Sequence, residues 1–147
     1  MQSRIVVGID PDIKKSGVAV LSGTKLTRLE SLKFMDVLAF LEQIGGPDVV
    51  SVKLENPSAI STTFSARAGM SQRAAMSVAQ DVGRVKAVCE LLHEAIKDAG
   101  YQIKLVKPLT GPIKRAKDDR EFFNKITGWQ GQSNQDKRDA ALIALYG

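Results

Sequence analysis

Apolar residues from Ile5 to Ile9 end on Asp10-Pro11, the pattern of a buried strand (Ile5 to Asp10) that stops at a Pro-Asp turn. Gly17 to Leu21 is a second apolar strand, and Ser22-Gly23 turns it into a weaker third strand over Lys25 to Lys33. From Met35 to Ile44 the spacing of Leu38, Leu41 and Ile44 predicts a helix, which Gly45-Gly46-Pro47 ends. Val50, Val52 and Leu54 alternate with Ser51 and Lys53 in a fourth strand that stops at Glu55-Asn56-Pro57. A polar stretch from Ser58 to about Gln72 precedes the longest predicted helix, Arg73 to Ala99. Its stripe of Val78, Val82, Val85, Cys89, Leu92 and Ile96 has a period near 3.6, with Lys86, Glu90, Glu94 and Lys97 outside it. Tyr101, Ile103 and Leu105 alternate in a fifth strand ended by Pro108. A short helix over Asp118 to Ile126 and a last helix from about Asn134 through Leu145 follow. Three antiparallel strands followed by two reached through helices predict an α/β fold: a five-stranded mixed sheet with helices on both faces.

The chain has 147 residues, the length of one domain, with 44% hydrophobic and 25% charged residues, an ordinary globular composition. Cys89 is the only cysteine, which excludes a disulfide framework and a cysteine-based zinc site, and His93 is the only histidine. A buried, inert Cys89 and a surface His93 are expected. No apolar run approaches the roughly 20 residues that span a bilayer. With Met-Gln-Ser-Arg leading straight into a strand, an intracellular, cytoplasmic protein without membrane partners is expected.

Net charge is +5, which by itself says only that polyanions are attracted. Its distribution says more. Arg67 and Arg73 stand in an acid-free segment from Asn56 to Gln80, and Lys104, Lys107, Lys114, Arg115 and Lys117 stand in another. These seven residues are the candidate contacts to a phosphate backbone.

The acids carry the candidate chemistry. Asp10 closes an apolar strand, where a carboxylate is costly unless solvated, paired or bound to metal. Glu55 repeats the design at the end of the fourth strand; if the two strands are parallel neighbours, both carboxylates emerge at one sheet edge, where open α/β sheets bind ligands. Asp136 and Asp139 lie i, i+3 on one face at the start of an apolar helix, whose burial presses them against the sheet. Singly, each has a plainer reading: a turn residue, a strand-end charge, an acid at a helix N-terminus. Together, four convergent carboxylates call for cations between them. Hard divalent ions, Mg²⁺ with Mn²⁺ as a substitute, prefer oxygen ligands, and two such ions about 4 Å apart can hydrolyse a phosphodiester.

In order along the chain, Val7-Gly8-Ile9-Asp10-Pro11 with Ser16-Gly17-Val18-Ala19-Val20, then Leu54-Glu55, Gln80-Asp81-Val82-Gly83-Arg84, Val106-Lys107 with Gly111, and Asp136-Lys137-Arg138-Asp139-Ala140-Ala141-Leu142-Ile143-Ala144 resemble the motifs of RuvC-type Holliday junction resolvases in the RNase H-like superfamily. The resemblance spans nearly the whole chain. It implies a single RNase H-like nuclease domain over residues 1–147 and a homodimer that places paired nicks in a four-way DNA junction. It also implies that Asp10, Glu55, Asp136 and Asp139 are the catalytic, metal-holding acids. Lys107, with Lys114 or Lys117, would stand near the scissile phosphate. The first hairpin alone is shared with sugar kinases and chaperone ATPases, but an actin-like ATPase needs glycine-rich phosphate loops that this sequence lacks.

Two departures stand out. Asp12 replaces the glycine usual after Asp-Pro; it either tolerates a left-handed turn or touches the metal site. The segment after Glu55 lacks the usual bulky aromatic near its start, with Phe64 further on as a wedge or an anchor and Ser61, Thr62, Thr63 and Ser65 as candidate phosphate donors. Gly83, inside a helix, suggests close approach of DNA or a partner helix, and Trp129 suggests core packing. The alternatives are a nuclease for forks, flaps or RNA–DNA hybrids, and a junction-binding scaffold without catalysis.

Overall fold

The first three strands, β1 (Ile5–Asp10), β2 (Ser16–Ser22) and β3 (Lys25–Leu32), form the expected antiparallel meander in a computed structural model that describes residues 4–57 and 71–147. β4 (Val50–Glu55) adds in parallel to the other side of β1, and β5 (Gln102–Val106) adds in parallel to β4, so the sheet order is β3-β2-β1-β4-β5. A strand that alternates in sequence must present its odd and even residues to opposite faces. Val7 and Ile9 of β1 and Val50, Val52 and Leu54 of β4 thus enter one core with Val37, Phe40 and Leu41 of α1 (Val37–Ile44) and Cys89, Leu92 and Ile96 of α2 (Gln72–Asp98). On the opposite face, Ala19, Leu26 and Leu29 pack with Ala116 of α3 (Arg115–Asp118), Phe123 of α4 (Arg120–Thr127) and Ala140 to Leu142 of α5 (Gln135–Tyr146). The mixed sheet with helices on both faces is borne out.

Boundaries differ where local chemistry is subtle. The helix expected from Met35 begins as a short 3-10 turn, Phe34–Asp36, and becomes α-helical at Val37. The helix expected over Asp118 to Ile126 is α4, which starts two residues later because Asp119 adopts extended backbone and caps it by accepting from Phe122 N at 3.0 Å, and the basic segment before it holds the short, unexpected α3. α5 starts as expected: the Asn134 side chain accepts from Lys137 N at 2.9 Å.

The stripe of α2 is core only in its second half. Cys89, Leu92 and Ile96 are buried, whereas Val78 is 38% exposed and Met76 57% exposed, so the N-terminal half projects beyond the sheet. The motif Gln80 to Arg84 lies on that half. A β-carbon at Gly83 would meet no atom of the described residues within 4 Å, so the close approach expected there is not made among them. Gly83→Ala should therefore stabilise by about 1 kcal/mol, the helix-propensity difference, read as a rise in melting temperature. Lower stability would mean that Gly83 is packed after all.

Cys89 is buried as expected, and burial, with Glu90 and Glu55 adding, pushes its thiol up to about 11, which keeps it an inert thiol. His93 is half-buried rather than on the surface. Trp129 packs against the second core, as expected, and its Nε1 donates to Gln132 O at 3.1 Å. Phe64 and the hydroxyls at 61–63 and 65 lie outside the described residues, as does Arg67. Among the described residues, no helix is long and apolar enough to cross a membrane.

Candidate metal centre

Asp10 and Glu55 are brought together by strand register. β1 and β4 run parallel with Ile9 beside Leu54, so the next residue of each, Asp10 and Glu55, stands at the same edge and on the same face. That face belongs to α5. Gly8 and Gly17 let it come down to backbone contact: a β-carbon on Gly8 would strike the Ala140 carbonyl and lie 2.8 Å from Ala144 N, and one on Gly17 would strike the Asp136 carbonyl. α5 earns this contact through its apolar sequence, with Ala140 to Ile143 wholly buried. Leu142 and Ile143 each contribute about 1.5–3 kcal/mol by leaving water. The same seating drives Asp139 into the sheet, where it is 1% exposed.

One carboxylate oxygen from each of Asp10, Glu55 and Asp139 lies within 4.8 Å of the other two. Charges this close repel by about 4 kcal/mol per pair at 4 Å in a partly solvated site. Asp10 and Glu55 respond by binding their protons more tightly. Burial pushes Asp10 up to about 9, with its hydrogen bond to Glu55 and the charges of Glu55 and Asp139 adding and Lys117 opposing. Burial raises Glu55 as well, with Asp139 adding and Lys114 opposing. Three oxygen donors that crowd into a buried corner fit a hard divalent cation, which relieves by coordination what protons relieve here.

The fourth acid stands apart. Asp136 is half-buried over Gly17 of β2 and is not among the three oxygens that converge. Burial raises it, then the charge of Asp12, with Lys117 opposing and Asp139 adding. Asp12 thus faces Asp136 across the β1–β2 turn. The turn is not left-handed, since no described non-glycine residue has positive φ. It is held instead by Asp12 N donating to Ser16 Oγ at 3.2 Å and Ile13 N donating to Asp12 Oδ1 at 2.7 Å.

A cleft of about 880 Å³ opens over the triad, lined also by Lys107, Lys114, Lys117, Pro11, Pro57 and Val85. Lys114 Nζ donates to Asp139 Oδ1 at 2.8 Å, and Lys117 Nζ stands 3.5 Å from Asp139 Oδ2. Burial works against the charge of Lys117, but Asp139, Asp10 and Glu55 outweigh it and raise its pKa. Lys107 is exposed in the same cleft. The other candidate cations lie elsewhere. Arg115 turns to α4, 3.8 Å from Asp119 and 4.2 Å over the Phe122 ring. Lys104 sits beside Lys53, two residues short of the acidic edge, and Arg73 is exposed in the first turn of α2.

Sequence reasoning missed the buried Arg138. Its Nε donates to Lys117 O at 2.7 Å and its Nη1 to Ser133 Oγ at 2.9 Å, which fixes the backbone of the lysine segment against α5. Its place between the two acids of the last motif was the only available signal. Gly8 and Gly17 were likewise passed over, though a glycine inside an apolar strand is a sign of close backbone approach.

A meander followed by two parallel strands, in the order β3-β2-β1-β4-β5 with helices on both faces, is an RNase H-like fold. Among solved structures the chain is similar to RuvC of Thermus thermophilus in complex with a Holliday junction substrate, with TM-score 0.58 and 21% identity over 96% of this chain and 90% of that one. A second structure of Thermus thermophilus RuvC matches with TM-score 0.54 and 20% identity over 96% and 91%. The fowlpox virus Holliday junction resolvase matches with TM-score 0.51 and 14% identity over 95% and 93%. The resemblance drawn from the motifs is thus borne out in the fold. No family model matches the chain, and no curated protein matches its sequence.

Proposed function

We propose that this chain is a divalent-metal-dependent DNA endonuclease that resolves four-way junctions as a homodimer, by hydrolysis of phosphodiesters. The observation that carries the proposal is the convergence of Asp10, Glu55 and Asp139 within 4.8 Å at the floor of a cleft edged by Lys107, Lys114 and Lys117. The neighbouring folds support the substrate, since one of them is a RuvC bound to a Holliday junction.

Asp10, Glu55 and Asp139 would hold the metal, with Asp136 reaching it from the outer side. Mg²⁺ or Mn²⁺, when bound, supplies Lewis-acid activation of water and of the phosphodiester. The chain's own residues do the rest. Buried carboxylates fixed by two strands and a backbone-packed helix are preorganised, so little rearrangement is needed as substrate binds. The cleft lysines neutralise the charge of the phosphate, and Arg138 keeps Lys117 in register with Asp139. Arg67, Arg73, Lys104 and Arg115 would engage the junction arms beyond the cleft.

The test is a labelled synthetic four-way junction incubated with Mg²⁺, beside linear duplex, flap, fork and RNA–DNA hybrid substrates. Paired symmetric nicks in the junction, lost in Asp10→Asn, are expected. Preferred cutting of another substrate would move the assignment to that substrate. A junction bound but never cut with either ion would make the chain a scaffold.

A further inference from the structure

We infer that Lys114 and Lys117 are built-in counter-ions of Asp139, which hold that carboxylate before a divalent cation arrives and give it up when one enters. The inference rests on the metal-site reading above and adds a mode of control to it: metal uptake and phosphate binding become coupled through two side chains.

The geometry is specific. Both oxygens of Asp139 are taken, Oδ1 by Lys114 at 2.8 Å and Oδ2 by Lys117 at 3.5 Å. Asp139 itself is almost fully buried, so these ammoniums and the neighbouring acids are its environment. The two lysines are three residues apart, across the 3-10 turn Pro112–Lys114 and α3, and this spacing puts them on one face. Together they bring two positive charges, the charge of one divalent cation. Such a cation, taking Asp139 together with Asp10 and Glu55, meets two like charges already on the same carboxylate.

The lysines have somewhere to go. Their side chains are 32% and 28% exposed, and both line the open cleft in which a phosphate would sit. A phosphodiester entering there offers the ammoniums a new anionic partner, which frees Asp139 for the metal. Conversely, a metal on Asp139 releases the ammoniums toward phosphate. By linkage each ligand strengthens the other. Lys107 shares the cleft but makes no ion pair among the described residues, so it has no part in the restraint.

The experiment is titration of Mn²⁺ into DNA-free protein, with free Mn²⁺ read by electron paramagnetic resonance. Lys114→Met with Lys117→Met should bind Mn²⁺ about ten-fold more tightly than wild type, the order expected for like charges removed from 4–6 Å. Lys114→Arg with Lys117→Arg keeps both charges and should bind no more tightly than wild type, and Lys107→Met should change affinity far less than the double methionine variant. Unchanged or weaker Mn²⁺ binding in the methionine variant, or equally tight binding in the arginine variant, overturns the counter-ion role. If Asp10→Asn still abolishes binding in that case, the metal site stands and only this inference falls. Absence of Mn²⁺ binding in every form removes both.

Discussion

Asp10→Asn should abolish cleavage and, in the absence of metal, raise the melting temperature. The loss of activity should be on the order of 10³-fold, beyond the 10–100-fold typical of residues that only support a ligand. The gain in stability follows from the crowded carboxyls. The Asp10 pKa is raised from 3.8 to about 9 in the folded protein, chiefly by burial and then by Glu55. From about pH 4 to about pH 9 the folded state therefore keeps a proton that the unfolded state releases, and stability falls as pH rises through that window. Glu55 and Asp136 are raised too and act in the same direction. Asparagine is nearly the same size and carries no charge, so the penalty disappears. At about pH 8 without metal, a rise of about 5 °C is expected, at roughly 2–4 °C per kcal/mol, fading toward pH 4. Mg²⁺ should stabilise wild type and leave the variant unmoved. Thermal unfolding in a chelator across this pH range is the measurement. A flat wild-type profile would mean the three carboxyls are not pressed together as described.

Gly8→Ala should be among the most damaging single methyl additions at the described glycines. The added carbon would strike the Ala140 carbonyl and stand 2.8 Å from Ala144 N and 2.9 Å from Ala144 Cβ. Two of these three are backbone atoms of a helix, so no rotamer change relieves the contact and α5 must lift as a body. Overpacking a core usually costs about 1–3 kcal/mol, and a clash with rigid backbone lies at or above the upper end. Denaturant unfolding should show a loss of about 3 kcal/mol or more. Because lifting α5 also withdraws Asp139, the soluble fraction should be inactive at any Mg²⁺ concentration. Gly83→Ala, the opposite case, serves as the control. Wild-type stability in Gly8→Ala would show that α5 does not touch β1 through its backbone.

Much of the fold was legible because its signals are local. The alternation of Val50, Val52 and Leu54 follows from the two-residue repeat of a strand and needs no partner to be read. Asn134 marks the start of α5 because its side chain caps the helix from three residues away. Asp10 and Glu55 stood out as charges at the ends of apolar strands, and their meeting required only that β1 and β4 be parallel neighbours. Lys107, Lys114 and Lys117 were legible as a basic segment, and all three line the cleft.

What depends on distance through space was hidden. Asp136 and Asp139 look equivalent as an i, i+3 pair, yet one turn of helix carries the chain from over Gly17 of β2 to the corner shared by β1 and β4, and only Asp139 joins the other two acids. The pairing of Lys114 and Lys117 with Asp139 spans more than twenty residues and leaves no periodicity in the chain. The stripe of α2 is continuous, but the sheet beneath it ends, so Val78 is exposed where Cys89 is buried. Gly8 and Gly83 are the same letter in sequence; one is pressed against a helix backbone and the other meets none of the described residues. The sequence by itself determined which segments are strands and helices and which residues carry charge, because those follow from neighbours a few positions apart. The tertiary structure decided which charges meet, because that depends on where rigid elements cross, and crossing is set by packing across the whole chain.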